Sequence, residues 1–411
     1  MADIIPFKGV RYNPDKISDL SKVIAPPYDV ISSEEQDFLY SLHPNNIIRI
    51  LYGKDFPSDN EKQNKYTRAK TFLKNWMEQG ILKRDKEDSI YIYLQEFKFC
   101  GQVKTRIGFI ALLKLEDFYN NSSAVYPHET TLSAPKEDRL KLLTSIEANL
   151  GPIFALFGDE DNAVTSILLE WAKSPPIIDI VDYQGILNKL WRISDKKVIG
   201  QLINLMKNKN IFIADGHHRY EVALEFSRNK DVSKYGYILT YFTDIYSDGI
   251  VILPTYRLVC GVDKNTISAF LEKLKGNFKI SEFNSKQSAM LFLSEAGQFE
   301  KRFVLYYDNR YKGLLLEDSK DSLDVSVLHD MILGPLERDI ELSGKKISID
   351  FTKDLDYAIN VVDNGDYSFL VILNPTRVTQ VRDMSFSGRR MPQKSTYFYP
   401  KVLTGLVINV F

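Results

Sequence analysis

Apolar positions along the chain follow two periods. In "NEKQNKYTRAKTFLKNWMEQGILK", Tyr66, Ala69, Phe72, Leu73 and Trp76 recur at helical spacing, which predicts an amphipathic helix. "SIYIYLQEFKFCG" and "QVKTRIGFIALLKLED" predict two strands joined as a hairpin. Leu140, Leu143, Ile146 and Leu150 give the segment after Pro135 an apolar side, so a helix is expected there. "PIFALFG" and "VDYQGILNKLWRIS" each predict a strand, "KKVIGQLINLMKNKN" a helix, "IFIADG" a buried strand and "RYEVALEFSRNK" a helix. "YGYILTYFTDI" and "GIVILPTYRLV" predict two more strands. Near the start, Pro26 and Pro27 force an extended path, and Ser32 or Ser33 caps a helix beginning at "EEQDFLY". "NNIIRILYG" predicts a strand ending at Gly53. The last part mixes helices ("NTISAFLEKLKGNF", "SVLHDMILGPLE") with strands ("KRFVLYYDN", "FLVILNP"). The class expected is α/β (α+β) with mixed sheets. Three segments are expected: 1–118, 119–260 and 261–411.

Bulk composition narrows the function classes. The 411 residues are 44% hydrophobic and 26% charged, ordinary for a soluble chain of two or three domains. Net charge is -1, and no helix-turn-helix pattern is recognisable, which speaks against nucleic acid as a partner. Cys100 and Cys260 lie far apart with no CxxC spacing, so two buried free thiols in a reducing cytosol are expected, not a disulfide or a thiolate zinc site. No signal-peptide pattern opens the sequence, and apolar runs such as "FLVIL" are too short to span a bilayer. A cytoplasmic protein without a membrane partner is the expectation.

Four stretches carry candidate chemistry. In "FIADGHHRYEVAL", Gly216 permits a sharp turn between a strand and a helix. His217, His218 and Arg219 then sit at a helix N-terminus, where backbone N–H groups favour anions. Arg219 can grip a phosphate or carboxylate, and Asp215 can hold a metal ion or a substrate amine. The plainer alternative is a helix start with exposed histidines. In "HETTLSAPKEDR", the acids of "KEDR" suit the dipole of the next helix, whereas Glu129 lies in a loop and can take a proton from a hydroxyl. "SGRRMPQKSTYFYPK" gathers Arg389, Arg390, Lys394 and Lys401 with Ser395 and Thr396, either a donor loop for phosphates or a solvated basic turn. "APPYDV" holds Tyr28 and Asp29 behind a stiff double proline, as structure or as part of a site.

Together these boxes resemble a bacterial and archaeal family, domain-of-unknown-function family 1015. "PFKGVRYNP", "PPYDVIS", "HETT", "KEDRL", "IADGHHRYEVAL", "VILPTYRLV" and "MPQKSTYFYPKVLTGLV" occur in its order. The middle pair is also similar to the archaeal free-serine kinases of the ParB/sulfiredoxin superfamily, which carry an HE-type loop and then a DGHHR box. The resemblance implies a ParB/sulfiredoxin-like catalytic core across 119–260 and a kinase making O-phospho-L-serine. By motif it makes Glu129 the general base and places Asp215 and His218 in the catalytic set. His128, Arg139, Gly216, His217, Arg219, Lys394, Ser395, Thr396 and Asp29 would hold substrate or phosphate, and Asp215 would bind Mg2+. ATP or ADP would be the donor and L-serine the acceptor. The interval from Glu129 to Asp215 is longer than in the kinases. A ParB-like nucleotide-binding regulator that binds DNA or a partner without kinase activity is the competing expectation. Sulfiredoxin-like chemistry needs a cysteine where His217 and His218 stand.

Overall fold

The computed structural model describes residues 2–118, 123–131, 133–228, 230–297, 299–319, 322–392 and 394–411. The chain forms two compact units. The first comprises 1–127, 131–251 and 400–411, and the second 128–130 and 252–399. This replaces the three consecutive segments expected. Strands on both sides of residue 118 share one sheet, so no division falls there, and residues 400–411 rejoin the first unit. The polar stretch 119–122, where the second segment was to begin, lies outside the described residues.

The first unit is built on a nine-stranded mixed sheet. Its strands are β1 (Ile4–Ile5), β2 (Ile90–Phe99), β3 (Gln102–Lys114), β4 (Val125–Tyr126), β5 (Ile153–Phe157), β6 (Ile178–Val181), β7 (Leu187–Ile193), β8 (Ile211–Asp215) and β9 (Tyr237–Asp244). Their order is β4-β8-β5-β9-β3-β2-β7-β6, with β1 on β3. The pairs β4/β8 and β5/β9 are parallel and the rest antiparallel. "VDYQGILNKLWRIS" yields the expected strand, β7, which pairs with β6 across a turn that holds Gly185 at φ +78°. The expected hairpin is β2–β3, and its turn is Cys100 and Gly101, both at positive φ. That turn exposes Cys100, in place of the buried thiol expected.

Helices accompany this sheet in the first unit. They are α1 (Ser33–Leu42), α2 (Ile48–Leu51), α3 (Lys65–Glu78), α4 (Ser133–Ile146), α5 (Ala163–Trp171), α6 (Lys196–Met206) and α7 (His217–Ser227). The Ser32 hydroxyl caps α1 by accepting from Glu35 N at 3.2 Å. Asn64 and Thr67 form a capping box on α3, which buries Ala69, Leu73 and Trp76 as its period requires. "NNIIRILYG" is α2, a helical turn, in place of the strand expected. A short apolar run does not distinguish the two by period. The buried Asn46 side chain decides: it accepts from Ile48 N at 2.9 Å while donating to the carbonyls of Lys22 and Ile24. One core cluster takes in Ile92, Phe109, Ile153, Phe157, Ile213, Tyr220 and Phe242.

The second unit holds a six-stranded antiparallel sheet. Its strands are β10 (Tyr256–Cys260), β11 (Lys279–Phe283), β12 (Lys301–Tyr307), β13 (Arg310–Leu316), β14 (Ser348–Thr352) and β15 (Phe369–Leu373), ordered β11-β13-β12-β15-β10-β14. Pro254, which cannot donate to a ladder, breaks "GIVILPTYRLV" into Val251–Leu253 and β10. Among the described residues no helix is long and apolar enough to cross a membrane.

Candidate functional site

In the first unit the chemistry gathers where β8 meets α7. Pairing of β8 with β5 shifts register between Ile213 and Asp215, an irregularity that re-aims the Asp215 side chain. Gly216 follows at φ +95° and ψ 27°, the left-handed region, and α7 starts at once. A Cβ at Gly216 would lie 2.8 Å from Ile153 Cγ2 and 3.0 Å from an Arg219 nitrogen. The bend thus needs glycine for both conformation and space.

Asp215 holds two cations. Its Oδ2 accepts from Arg219 Nη2 at 2.8 Å, and its Oδ1 pairs with the Lys401 ammonium. Arg219 Nη1 also donates to Pro152 O at 2.6 Å. Side chains of Lys401, Asp215 and Arg219 are 9%, 13% and 18% exposed, so screening by water is limited. Two cations, Arg219 and Lys401, thus face one carboxylate at the start of α7.

Lys401 is held from below by a buried polar network. Gln95 Nε2 donates to Lys401 O at 3.1 Å, and Arg106 donates to Pro400 O and to Gln95 Oε1. Arg106 is fully buried over the Phe154 ring at 4.7 Å, and burial pulls its pKa down. Asn188 extends the chain, receiving Gln95 Nε2 at 3.2 Å and donating to Asp182 Oδ2 at 3.0 Å.

In the second unit, residues 128–130 are stitched to the segment around Met391. Met391 N donates to His128 O at 2.7 Å, and Thr130 N to Met391 O at 3.3 Å. Glu129 Oε1 accepts from both Thr396 N and Thr396 Oγ1 at 3.1 Å. His128 Nε2 lies 2.9 Å from the same hydroxyl. With Thr396 Oγ1 assigned as donor to Glu129, the same oxygen suits a His128 tautomer protonated at Nε2. Thr396 thus bridges His128 and Glu129.

The expected site residues divide between these groups. Asp215, Gly216, His217, His218 and Arg219 lie together at the bend, with His217 buried and His218 half-buried. Glu129, His128 and Thr396 lie together in the second unit. Lys394 is exposed at φ +55°, and Ser395 is buried with its hydroxyl on Pro392 O. Arg139 is committed elsewhere: it donates to Leu51 O at 2.8 Å, pairs with Asp138 and lies 4.1 Å from the Tyr28 ring centroid. Asp29 is exposed on the Tyr28–Val30 turn. Tyr28, Arg139 and Arg219 line a largely apolar cleft with Leu142, Ile146 and Val222.

Asp215 does not fit the expected role of magnesium ligand, because both its oxygens already face cations. Among the described residues, no group of three His, Cys, Asp or Glu side chains is arranged to hold a metal. The role that Asp215 does fit is to hold Arg219 and Lys401 side by side.

Two residues escape sequence reasoning as site members. Lys401 is legible there only as one cation among several. Arg257 sits inside "VILPTYRLV" as a lone charge in an apolar strand, and it is 4% exposed. Burial, only partly offset by the charge of Glu129, pulls its pKa down to about 10.

A family model described as "Protein of unknown function (DUF1015)" matches residues 4–329. The chain belongs to the DUF1015 family. This DUF1015 match takes in Glu129, Asp215 to Arg219 and Arg257, and stops before the 391–396 box and Lys401. A comparison with the curated proteins gives no significant match. Among solved structures, this DUF1015 protein is similar to a conserved hypothetical protein from Pyrococcus furiosus at 12% identity and TM-score 0.37, covering 68% of this chain and 89% of the other. It is also similar to a free serine kinase in complex with AMP, at 13% identity and TM-score 0.38, covering 70% of this chain and 88% of the other. SbnI from Staphylococcus aureus, with a C-terminal truncation, is similar at 10% identity and TM-score 0.37, covering 72% and 85%.

Proposed function

We propose that this DUF1015 protein is a nucleotide-dependent phosphotransferase that phosphorylates the hydroxyl of free L-serine, giving O-phospho-L-serine. The observation that carries the reading is the bend at Gly216, where Asp215 holds Arg219 and Lys401 as a cation pair at the N-terminus of α7. Phosphoryl transfer asks mainly for positioning and for charge against the transferred group. The cation pair and the α7 N–H groups supply charge. Asp215 keeps both cations in place, and the Gln95–Arg106 network fixes the backbone that carries Lys401.

Glu129 is proposed as the general base. As an ionised carboxylate it only accepts, and Thr396 orients Oε1 through two donors. Its carboxylate would take the proton of the serine hydroxyl as that oxygen bonds the terminal phosphorus, the donor's own P–O bond breaks and the shortened nucleotide leaves. His218 and Arg219 are proposed to hold the phosphate oxygens. The donor is ATP or ADP, and the acceptor follows the motif resemblance to the free-serine kinases. Magnesium would supply charge neutralisation on the nucleotide's own phosphates, since it keeps its waters and bridges phosphates.

Purified protein incubated with L-serine, Mg2+ and isotopically labelled ATP or ADP tests this. O-phosphoserine is expected from the native chain and about 10²- to 10⁴-fold less from Glu129→Gln. Phosphoserine absent with both nucleotides, or unchanged in Glu129→Gln, contradicts the proposal. If labelled phosphate is instead absent and a salt-sensitive gel shift with DNA appears, the regulatory alternative takes its place.

A further inference from the structure

A buried cation in the second unit is left unused by the chemistry above. Arg257 on β10 stands in register with Phe351 on β14 and Val371 on β15, so it is part of an interior strand of the sheet. A guanidinium has five N–H donors. Arg257 gives Nη1 to Thr255 O and lies 5.5 Å from the Phe351 ring centroid. Among the described residues no carboxylate comes within ion-pair distance of it. Glu129 acts on it through its charge but spends Oε1 on Thr396.

Thr255 makes the chemistry more specific. Thr255 lies directly before β10, and Arg257 Nη1 donates to its carbonyl, which keeps the two residues adjacent. Thr255 is 7% exposed, and its Oγ1 is a buried hydroxyl with no hydrogen-bond partner. A buried unpaired hydroxyl costs free energy, and so does a buried cation without an anion. One ligand group satisfies both at once: a carboxylate, which takes a forked pair from Arg257 and a hydrogen bond from Thr255.

We propose that Thr255 and Arg257 receive the carboxylate of the acceptor, so that the acceptor class is a hydroxy acid presented to Glu129 and not an amino alcohol that lacks the carboxylate. This rests on the phosphotransferase reading for the role of Glu129. The receptor itself is defined by binding alone. A phosphate would also be drawn to a lone arginine. It is disfavoured because a dianion would face the Glu129 carboxylate, and a carboxylate brings half that charge.

Calorimetric binding of L-serine, ethanolamine and inorganic phosphate separates these cases without any turnover. The native chain is expected to bind L-serine well and ethanolamine, which lacks the carboxylate, at least about 50-fold more weakly. Arg257→Gln should weaken L-serine by about 50- to 1,000-fold and leave ethanolamine unchanged, with Arg257→Lys recovering part of the loss. Thr255→Val removes only the orphan hydroxyl, so the ligand-free protein should melt no lower while L-serine affinity falls several-fold. Equal binding of serine and ethanolamine, or serine affinity untouched by Arg257→Gln and Thr255→Val, overturns the proposal. So does phosphate binding that Arg257→Gln abolishes while L-serine binding persists. Serine binding of the expected pattern without any phosphoserine formed would leave the receptor standing and remove the kinase reading.

Discussion

At the scale of single residues, Gly216 is the clearest case of sequence legibility. A glycine between a buried strand and a helix is expected to turn the chain, and it does so at φ +95°. Gly216→Ala is expected to cost about 1–3 kcal/mol, since it meets both a forbidden conformation and Ile153. Denaturant unfolding measures this, and a change below about 0.5 kcal/mol would mean the bend adapts. The pairing of Asp215 with Lys401 is not legible, because the two lie 186 residues apart. No local pattern carries a pairing at that separation. Lys401→Met is expected to lower kcat by about 10²- to 10³-fold. Steady-state kinetics on a variant with native circular dichroism checks it.

At the scale of elements, long amphipathic or alternating runs are legible and short ones are not. The β2–β3 hairpin, α3 and α6 follow from their periods. The short apolar α2 reads as the wrong element because a buried Asn46, not a period, sets its conformation. Asn64→Ala removes the capping box of α3 and is expected to cost about 0.5–2 kcal/mol, read by denaturant unfolding. The α3–α4 junction also predicts a pH dependence. Burial pushes the Asp138 pKa up, but Arg139, Tyr66 OH at 2.7 Å and Lys65 outweigh it, and the net shift is downward. A carboxyl with a lower pKa folded than unfolded stabilises the fold above the unfolded value near about 3.9. That contribution is lost as pH falls through the folded value. Asp138→Asn should therefore destabilise at neutral pH and flatten the acid limb of a melting-temperature profile. An acid limb parallel to the native one would contradict this.

At the scale of the whole molecule, the mixed α/β class is legible from alternating strand and helix periods, and the division into units is not. Residues 128–130 and 400–411 each group with a unit remote in sequence, and nothing in composition marks such returns. The same returns matter for the chemistry. Glu129 belongs to the second unit and the Gly216 bend to the first, so each proposed role is tested by its own variant. The direct measurement is the transfer of labelled phosphate from ATP or ADP to L-serine by the native chain, Glu129→Gln, Lys401→Met and the double variant. Phosphoserine made by the native chain is expected to fall sharply in each single variant. The double variant should do no better than the worse single one. Phosphoserine formed equally by all four proteins, or by none, would contradict a phosphotransferase that uses these residues.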